Sequence, residues 1–242
     1  MRDTSERPFR RHHRLTNIHR IIARWLGRRG RGARSSLRVP AFDTTGWHER
    51  QRSETNVVWT NDERDSLSVN HSTSRPPWPL SDQDSWRSFC RELAEDRGSA
   101  IVSGDSFEEG PAPLFQFIYK REDGNGYLYG GQLFVPRPAG MWVIGGSARE
   151  HGTTGVREAL VTAHLAGEGR LEIDRFETPD AIGAAGGKVR NWFRDPYDLE
   201  YRGRVLRNMA DDEEYDALVP HHPLSRLRRT LSTVRRTLRF EE

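Results

Sequence analysis

Cysteine, lysine and long apolar runs are what this chain of 242 residues has least of. Cys90 is the only cysteine, so no intrachain disulfide can form and folding needs no oxidising compartment. No segment approaches the roughly 20 consecutive apolar residues that a membrane-spanning helix requires. Near the start, the longest apolar stretch is Ile21-Ile22-Ala23 with arginines on both sides, which predicts no signal-peptide core. These absences together predict a cytoplasmic protein. Apolar residues make up only 34% of the chain and charged residues 30%, lean for a packed globule, so a sizeable part is expected to stay outside any core. The scarcity of lysine, 2 against 36 arginines, fits a GC-rich bacterial genome better than any one binding mode.

The formal charge of +3 conceals an uneven distribution. Residues 1–40 hold 12 arginines against Asp3 and Glu6, a net of +10, and the remaining 202 residues carry a net of −7. Composition therefore divides the chain into a basic, largely disordered arm over residues 1–54 and one domain over residues 55–242. Within the arm, Leu15, Ile18, Ile22, Trp25 and Leu26 recur at helical spacing, a short amphipathic candidate that Gly27 and the following Arg-Gly run would stop.

Beyond the arm, Val57-Val58-Trp59-Thr60, the turn formers Asn61-Asp62, and Leu67-Ser68-Val69 read as a hairpin, and Arg75 to Pro79 as a stiff linker. Ser81 and Asp84 suggest a capped start for a helix from about Asp82 to Asp96, with Trp86, Phe89, Cys90 and Leu93 on one face. Ala100 to Val102 predicts a short strand. Leu114 to Arg121 predicts an inner one, with Phe115, Phe117 and Tyr119 on one face and Leu114 and Ile118 on the other. Asp123-Gly124-Asn125-Gly126 is a strong turn into Tyr127 to Val135, where Gly130-Gly131 suggests a bulge, and a second turn leads to Met141 to Ser147. A helix then follows from Gly155 to about Ala166 with Val156, Leu160 and Ala163 as the expected buried stripe. The stretch from Gly167 to Pro223 is irregular, with a short helix expected near Pro179 to Ala185, and long stretches of this kind wrap a domain or carry its function. Finally, Leu224, Leu227, Leu231, Val234 and Leu238 repeat every three or four residues after the helix starter His222-Pro223. This stripe spans about two heptads, short for a free coiled coil, so docking within the chain is expected ahead of pairing with a second copy or lying on a membrane surface, with Arg226, Arg228, Arg229, Arg235, Arg236 and Arg239 outward. The order of elements predicts an α+β fold, a central antiparallel meander flanked by helices. In topology it resembles the PsbP-like α-β-α sandwich of photosystem extrinsic subunits.

Four constellations bear on chemistry. Gly183-Ala184-Ala185-Gly186-Gly187-Lys188 superficially resembles a phosphate loop, but Ile182 and Val189 stand where that pattern needs Gly and Ser or Thr, so a plain loop is expected. Arg149, His151, Thr153, Thr154 and Arg157 surround a strand-turn-helix junction, where free N–H groups and cationic side chains suit a phosphate or carboxylate. The plainer alternative is that Thr154 caps the helix and the arginines pair with Glu150 and Glu158. Asp211, Asp212 and Glu214 with His221 and His222 offer oxygen and imidazole ligands to a divalent metal, at spacings that match no calcium loop or zinc helix, and the commoner arrangement is a solvated acidic loop whose negative charges also suit the arginines of the C-terminal helix. Cys90 sits between apolar residues and is expected in the core rather than as a nucleophile.

The phrases Gly152-Thr153-Thr154-Gly155-Val156-Arg157-Glu158-Ala159, Asp195-Pro196-Tyr197-Asp198, Tyr215-Asp216 and His222-Pro223-Leu224-Ser225 resemble those of a bacterial protein family of unknown function. The likeness covers about Val57 to Leu238 and implies a domain boundary, without any activity or catalytic residue. No nucleophile or acid-base arrangement has proper spacing, and no cofactor motif is present. The sequence therefore leans toward a non-enzymatic module that binds a protein partner, with an arm that attracts nucleic acid or anionic lipid. The alternative is a small-anion-binding protein or hydrolase built on Arg149 to Arg157.

Overall fold

The computed structural model describes residues 39–53, 56–74, 82–108, 113–138, 140–171, 173–174, 188–189, 192–202 and 205–240, all in one compact unit, Ser36–Glu242. The helical candidate at Leu15 to Leu26, the linker at Arg75 to Pro79, the short helix at Pro179 to Ala185 and the glycine loop at Gly183 to Gly187 lie outside the described residues.

Alternating apolar and polar residues build one antiparallel sheet from β1 (His48–Arg52), β2 (Asn56–Thr60), β3 (Ser66–Ser72), β4 (Ala100–Phe107), β5 (Leu114–Asp123), β6 (Gly126–Arg137) and β7 (Gly140–Arg149). Its seven strands run in the order β1-β2-β3-β7-β6-β5-β4. Three helices accompany it among the described residues: α1 (Gln83–Asp96), α2 (Val156–Gly167) and α3 (Pro223–Thr237). The chain between α2 and α3 adds two short antiparallel pairs, β8 (Ile173–Asp174) with β9 (Lys188–Val189) and β10 (Phe193–Arg194) with β11 (Arg207–Asn208). No described helix is long and apolar enough to cross a membrane.

The period of two along the strands sends side chains to two separate cores. Phe115, Phe117 and Tyr119 of β5, Phe134 of β6, and Met141 and Val143 of β7 meet Trp86, Cys90 and Ala94 of α1. On the opposite face Ile118, Tyr129, Leu133, Val135, Trp142 and Ile144 meet Leu224, Leu227, Leu231 and Val234 of α3, together with Val57, Trp59, Leu67 and Val69 from the β2–β3 hairpin. The α+β meander read from the sequence is thus present, sandwiched between α1 and α3. The α3 stripe docks as its spacing implied, with Pro223 at its first turn and His222 capping it through Nδ1, which accepts from the Leu224 N–H at 3.2 Å.

Several expectations need correction. Gly130 and Gly131 form no bulge, because β6 keeps continuous register with both β5 and β7. They are glycine for room: a Cβ on Gly130 would strike the Tyr119 ring, and one on Gly131 would lie 2.5 Å from Leu231 Cδ1. Across the sheet Gly146, the partner of Gly131, likewise leaves space for Leu227 Cδ1, which a Cβ would approach to 2.9 Å, so α3 settles against bare backbone. The α1 cap is Asp82, which accepts from the backbone N–H groups of Asp84 and Ser85 at 3.0 and 3.2 Å. The strand begun at Ala100 continues to Phe107.

The folded unit also starts ahead of residue 55. Ala41 exchanges backbone hydrogen bonds of 2.9 and 2.7 Å with Arg239, Phe42 meets the Trp59 ring edge-on at 5.5 Å, and β1 pairs with β2. Polar composition hid this, because only Val39, Phe42 and Trp47 of that stretch supply the apolar contact.

Leu231 is fully buried where α3 crosses the glycines of β6 and β7. Replacing it by alanine is expected to lower the unfolding free energy by about 2–5 kcal/mol in urea titrations followed by circular dichroism; an unchanged midpoint would mean that α3 does not hold the sheet.

Candidate functional site

At the end of β7 the chain turns through Glu150 to Gly155 and enters α2. The turn needs two glycines, Gly152 and Gly155, each at φ +76, a conformation that side-chain-bearing residues adopt at a cost. Gly155 is the residue before the helix, and no side chain caps α2. Thr154 therefore has no capping role. Glu150 fastens the turn instead: its Oε2 accepts from the Tyr127 N–H at 2.9 Å, and its Oε1 lies 3.1 Å from His222 Nε2. Because His222 Nδ1 accepts from Leu224, the proton sits on Nε2 and is donated to Glu150.

The stripe expected to be buried in α2 is the exposed one. Val156 and Leu160 are 43% and 47% exposed, and Ala159, Ala163, Ala166 and Gly167 are exposed with them. The buried residues are Arg157, Val161 and Leu165, the last two joining Trp192, Ala210 and Tyr215 in a third core. Arg157 explains the inversion. Its guanidinium is completely buried and donates to the Ala210 carbonyl, to Ser225 Oγ at 2.8 Å, to the Asp212 carbonyl at 2.9 Å and to Asp216 Oδ1 at 2.8 Å. Those acceptors occupy one side of the helix, so the apolar stripe must take the other.

The acidic segment is a set of internal counter-ions. Asp211, fully buried, pairs with the equally buried Lys120 of β5. Asp212 takes Arg194 and Arg207, each at 2.7 Å, and Asp216 takes Arg157 and Arg228. Burial lowers the Arg228 pKa and pushes the Tyr129 hydroxyl well above its usual value, with Asp211 and Glu158 adding to the shift on Tyr129. Of the metal set, then, Asp211 and Asp212 are committed to ion pairs, Glu214 faces Arg170 at 3.6 Å, His222 holds Glu150, and His221 is exposed. Among the described residues no group of three or more His, Cys, Asp or Glu is placed to hold a metal ion. Arg226 and Arg228, expected to point outward from α3, are drawn in by Asp65 and Asp216.

The anion constellation is divided in the same way. Arg157 faces inward, and Arg149 forms an ion pair with Asp123. His151 and Thr153 are exposed and line, with Arg149, a cleft of about 550 Å³ between this turn and the start of α3. Apolar Val156, Leu218 and Val219 line it too, so the cleft continues the exposed stripe of α2. Residues 195–201 form a loop that lies along α1, where Arg87 and Arg91 stack over the rings of Tyr197 and Tyr201. Cys90 is fully buried, and burial pushes its thiol far above the range of a nucleophile.

A structural role for Arg157 has a direct consequence. Arg157→Ala is expected to destabilise the fold by about 3–5 kcal/mol, since it removes a buried donor from the half-buried Asp216 carboxylate, from Ser225 Oγ and from the carbonyls of Ala210 and Asp212, and Arg157→Lys is expected to recover only part of the loss. Denaturant unfolding checks this; native stability in Arg157→Ala would return Arg157 to the anion site.

No family model matches the chain, and no curated protein matches it. Among solved structures it is similar to the solution structure of cyanobacterial PsbP (CyanoP) from Synechocystis sp. PCC 6803, with 15% identity and a TM-score of 0.31, over 58% of this chain and 94% of that one. A likeness this distant carries no argument about function.

Proposed function

We propose that the protein is a non-enzymatic interaction module of the bacterial cytoplasm, whose docking surface is the outer face of α2 with the adjoining cleft. The observation that carries the reading is the inversion of α2. An arginine is held in the interior while Val156 and Leu160 stay 43% and 47% exposed, beside Leu218 at 43%. A contiguous apolar surface of this kind is a mark of protein–protein contact. The alternative, a small-anion site or hydrolase at Arg149 to Arg157, has less support, because its second arginine is enclosed by protein acceptors and only Arg149, His151 and Thr153 reach the cleft. Affinity capture with the tagged full chain, scored for any bound protein including its own untagged copy, tests the docking surface. Wild type and Leu199→Asp, altered at a residue 61% exposed that does not line the cleft, are expected to retain partners, and Leu160→Glu to lose at least about tenfold. Equal capture by all three sinks the reading.

The basic arm has a separate part in the proposal. The net +10 of its residues 1–40 attracts polyanions, nucleic acid or anionic lipid, through a sequence-independent and salt-sensitive term. Binding of the full chain to duplex DNA or to anionic vesicles is expected to fall by more than about tenfold between 50 and 200 mM salt. Binding that ignores salt over that range would count against the arm as a polyanion contact.

A further inference from the structure

The geometry points to a covalent cross-link inside the fold: an amide joining Lys120 Nζ to Asp211 Cγ, with Glu158 as the proton carrier. Nothing in it depends on the docking surface of α2. Lys120 stands on the inner strand β5, opposite Tyr129 of β6, and the 3-10 turn Met209–Asp211 brings the Asp211 carboxyl to it. Both side chains are all but closed to water, and Nζ touches Asp211 Oδ2. Yet Nζ has no hydrogen-bond partner, and Asp211 Oδ1 has none either. A buried ammonium normally has its N–H groups satisfied. Here the amine rests against the carboxyl group without the direction of a hydrogen bond, as a nucleophile held beside its carbon would.

The surroundings supply what amide formation needs. The Tyr127 ring is centred 4.8 Å from Nζ and Tyr129 is fully buried, so water is kept out. Away from water the charged pair is costly, and one proton passing from Nζ to Oδ1 leaves an amine beside a carboxylic acid. Arg228 donates to the Asp211 carbonyl and Arg157 to the Ala210 carbonyl, which fixes the backbone that carries the electrophile. The Asn208 N–H donates to Asp211 Oδ2 at 2.9 Å, where negative charge develops when Nζ attacks Cγ. Asn208 also donates through Nδ2 to Glu158 Oε1 at 3.1 Å, and the other carboxylate oxygen of Glu158, Oε2, is buried without a partner. Glu158 and Asp211 both act on the Tyr129 hydroxyl, which burial first and these two carboxylates next push well above its usual value. The step balances within the chain. The Nζ–Cγ bond forms, Glu158 takes a proton from the attacking nitrogen and passes it to Oδ1, and the Cγ–Oδ1 bond breaks to release one water. Glu158 returns to its starting state and no oxidant is consumed, so a chain with a single cysteine gains a cross-link between sheet and turn without an oxidising compartment.

Intact mass spectrometry of the denatured full chain, after purification in its folded form, reads the bond directly. The expected mass is that of the sequence less one water. Tryptic digestion is expected to give a branched peptide joining residues 98–121 to residues 208–226, because an acylated Lys120 is no longer a cleavage site. Asp211→Asn is expected to reach the same final mass as wild type, since loss of ammonia there yields the same amide. Glu158→Gln, which keeps an acceptor for Asn208 but carries no proton, is expected to fold with unchanged circular dichroism and to lower the cross-linked fraction at least about tenfold. A wild-type chain at its full sequence mass overturns the inference, as does a loss of water that maps to any other pair of residues. A cross-linked fraction undiminished in folded Glu158→Gln overturns the assignment of Glu158.

Discussion

A guanidinium with no access to water organises the second half of this protein. Arg157 reaches from the first turn of α2 to the carbonyls of Ala210 and Asp212, to Asp216 and to Ser225 at the start of α3. One side chain thereby joins α2, the 3-10 turns at Met209–Asp211 and Glu213–Tyr215, and α3. A buried cation is tolerable only when its donors are satisfied, which fixes the rotation of α2 about its own axis within narrow limits. The exposed apolar face is the other side of that constraint.

Around this clasp the sheet supplies the second charged pair. Lys120 lies on β5 and Asp211 in the 3-10 turn, both with essentially no exposure, so the acidic segment is held to the sheet as well as to the helices. Asp212 and Asp216 each accept from two arginines that come from different elements. The arrangement holds residues 207–216 in place without a large apolar core; among the described residues, Val161, Leu165, Trp192, Ala210 and Tyr215 form the buried apolar cluster beside them.

The candidate site inherits its character from that network. His222, a metal candidate by type, caps α3 and donates to Glu150. What reaches solvent at this end of the molecule is an apolar helix face and a cleft edged by Arg149, His151 and His221.

By itself the sequence determined the main elements, β2 to β7 and the three helices, and their order. Period-two alternation in β5, the Gly124-Asn125 turn, the Trp86 to Leu93 face of α1 and the Leu224 to Val234 stripe of α3 are local patterns with one stable use each, and the structure uses them so. The same local logic misled at α2, because helical periodicity shows that two faces differ without saying which one is inside when the interior offers acceptors for a cation. Those acceptors lie 53 to 68 residues further along the chain, and no pattern within α2 encodes them. The clearest available hint was one of only two lysines placed in the inner strand β5, a charge that needed a buried partner. Charge along the sequence matched the acidic run to the arginines of α3, of which Arg228 takes Asp216; tertiary structure alone decided that Lys120, Arg157, Arg194 and Arg207 join them, and that Val156 and Leu160 face outward, since both follow from where distant charges are brought together once the sheet has formed.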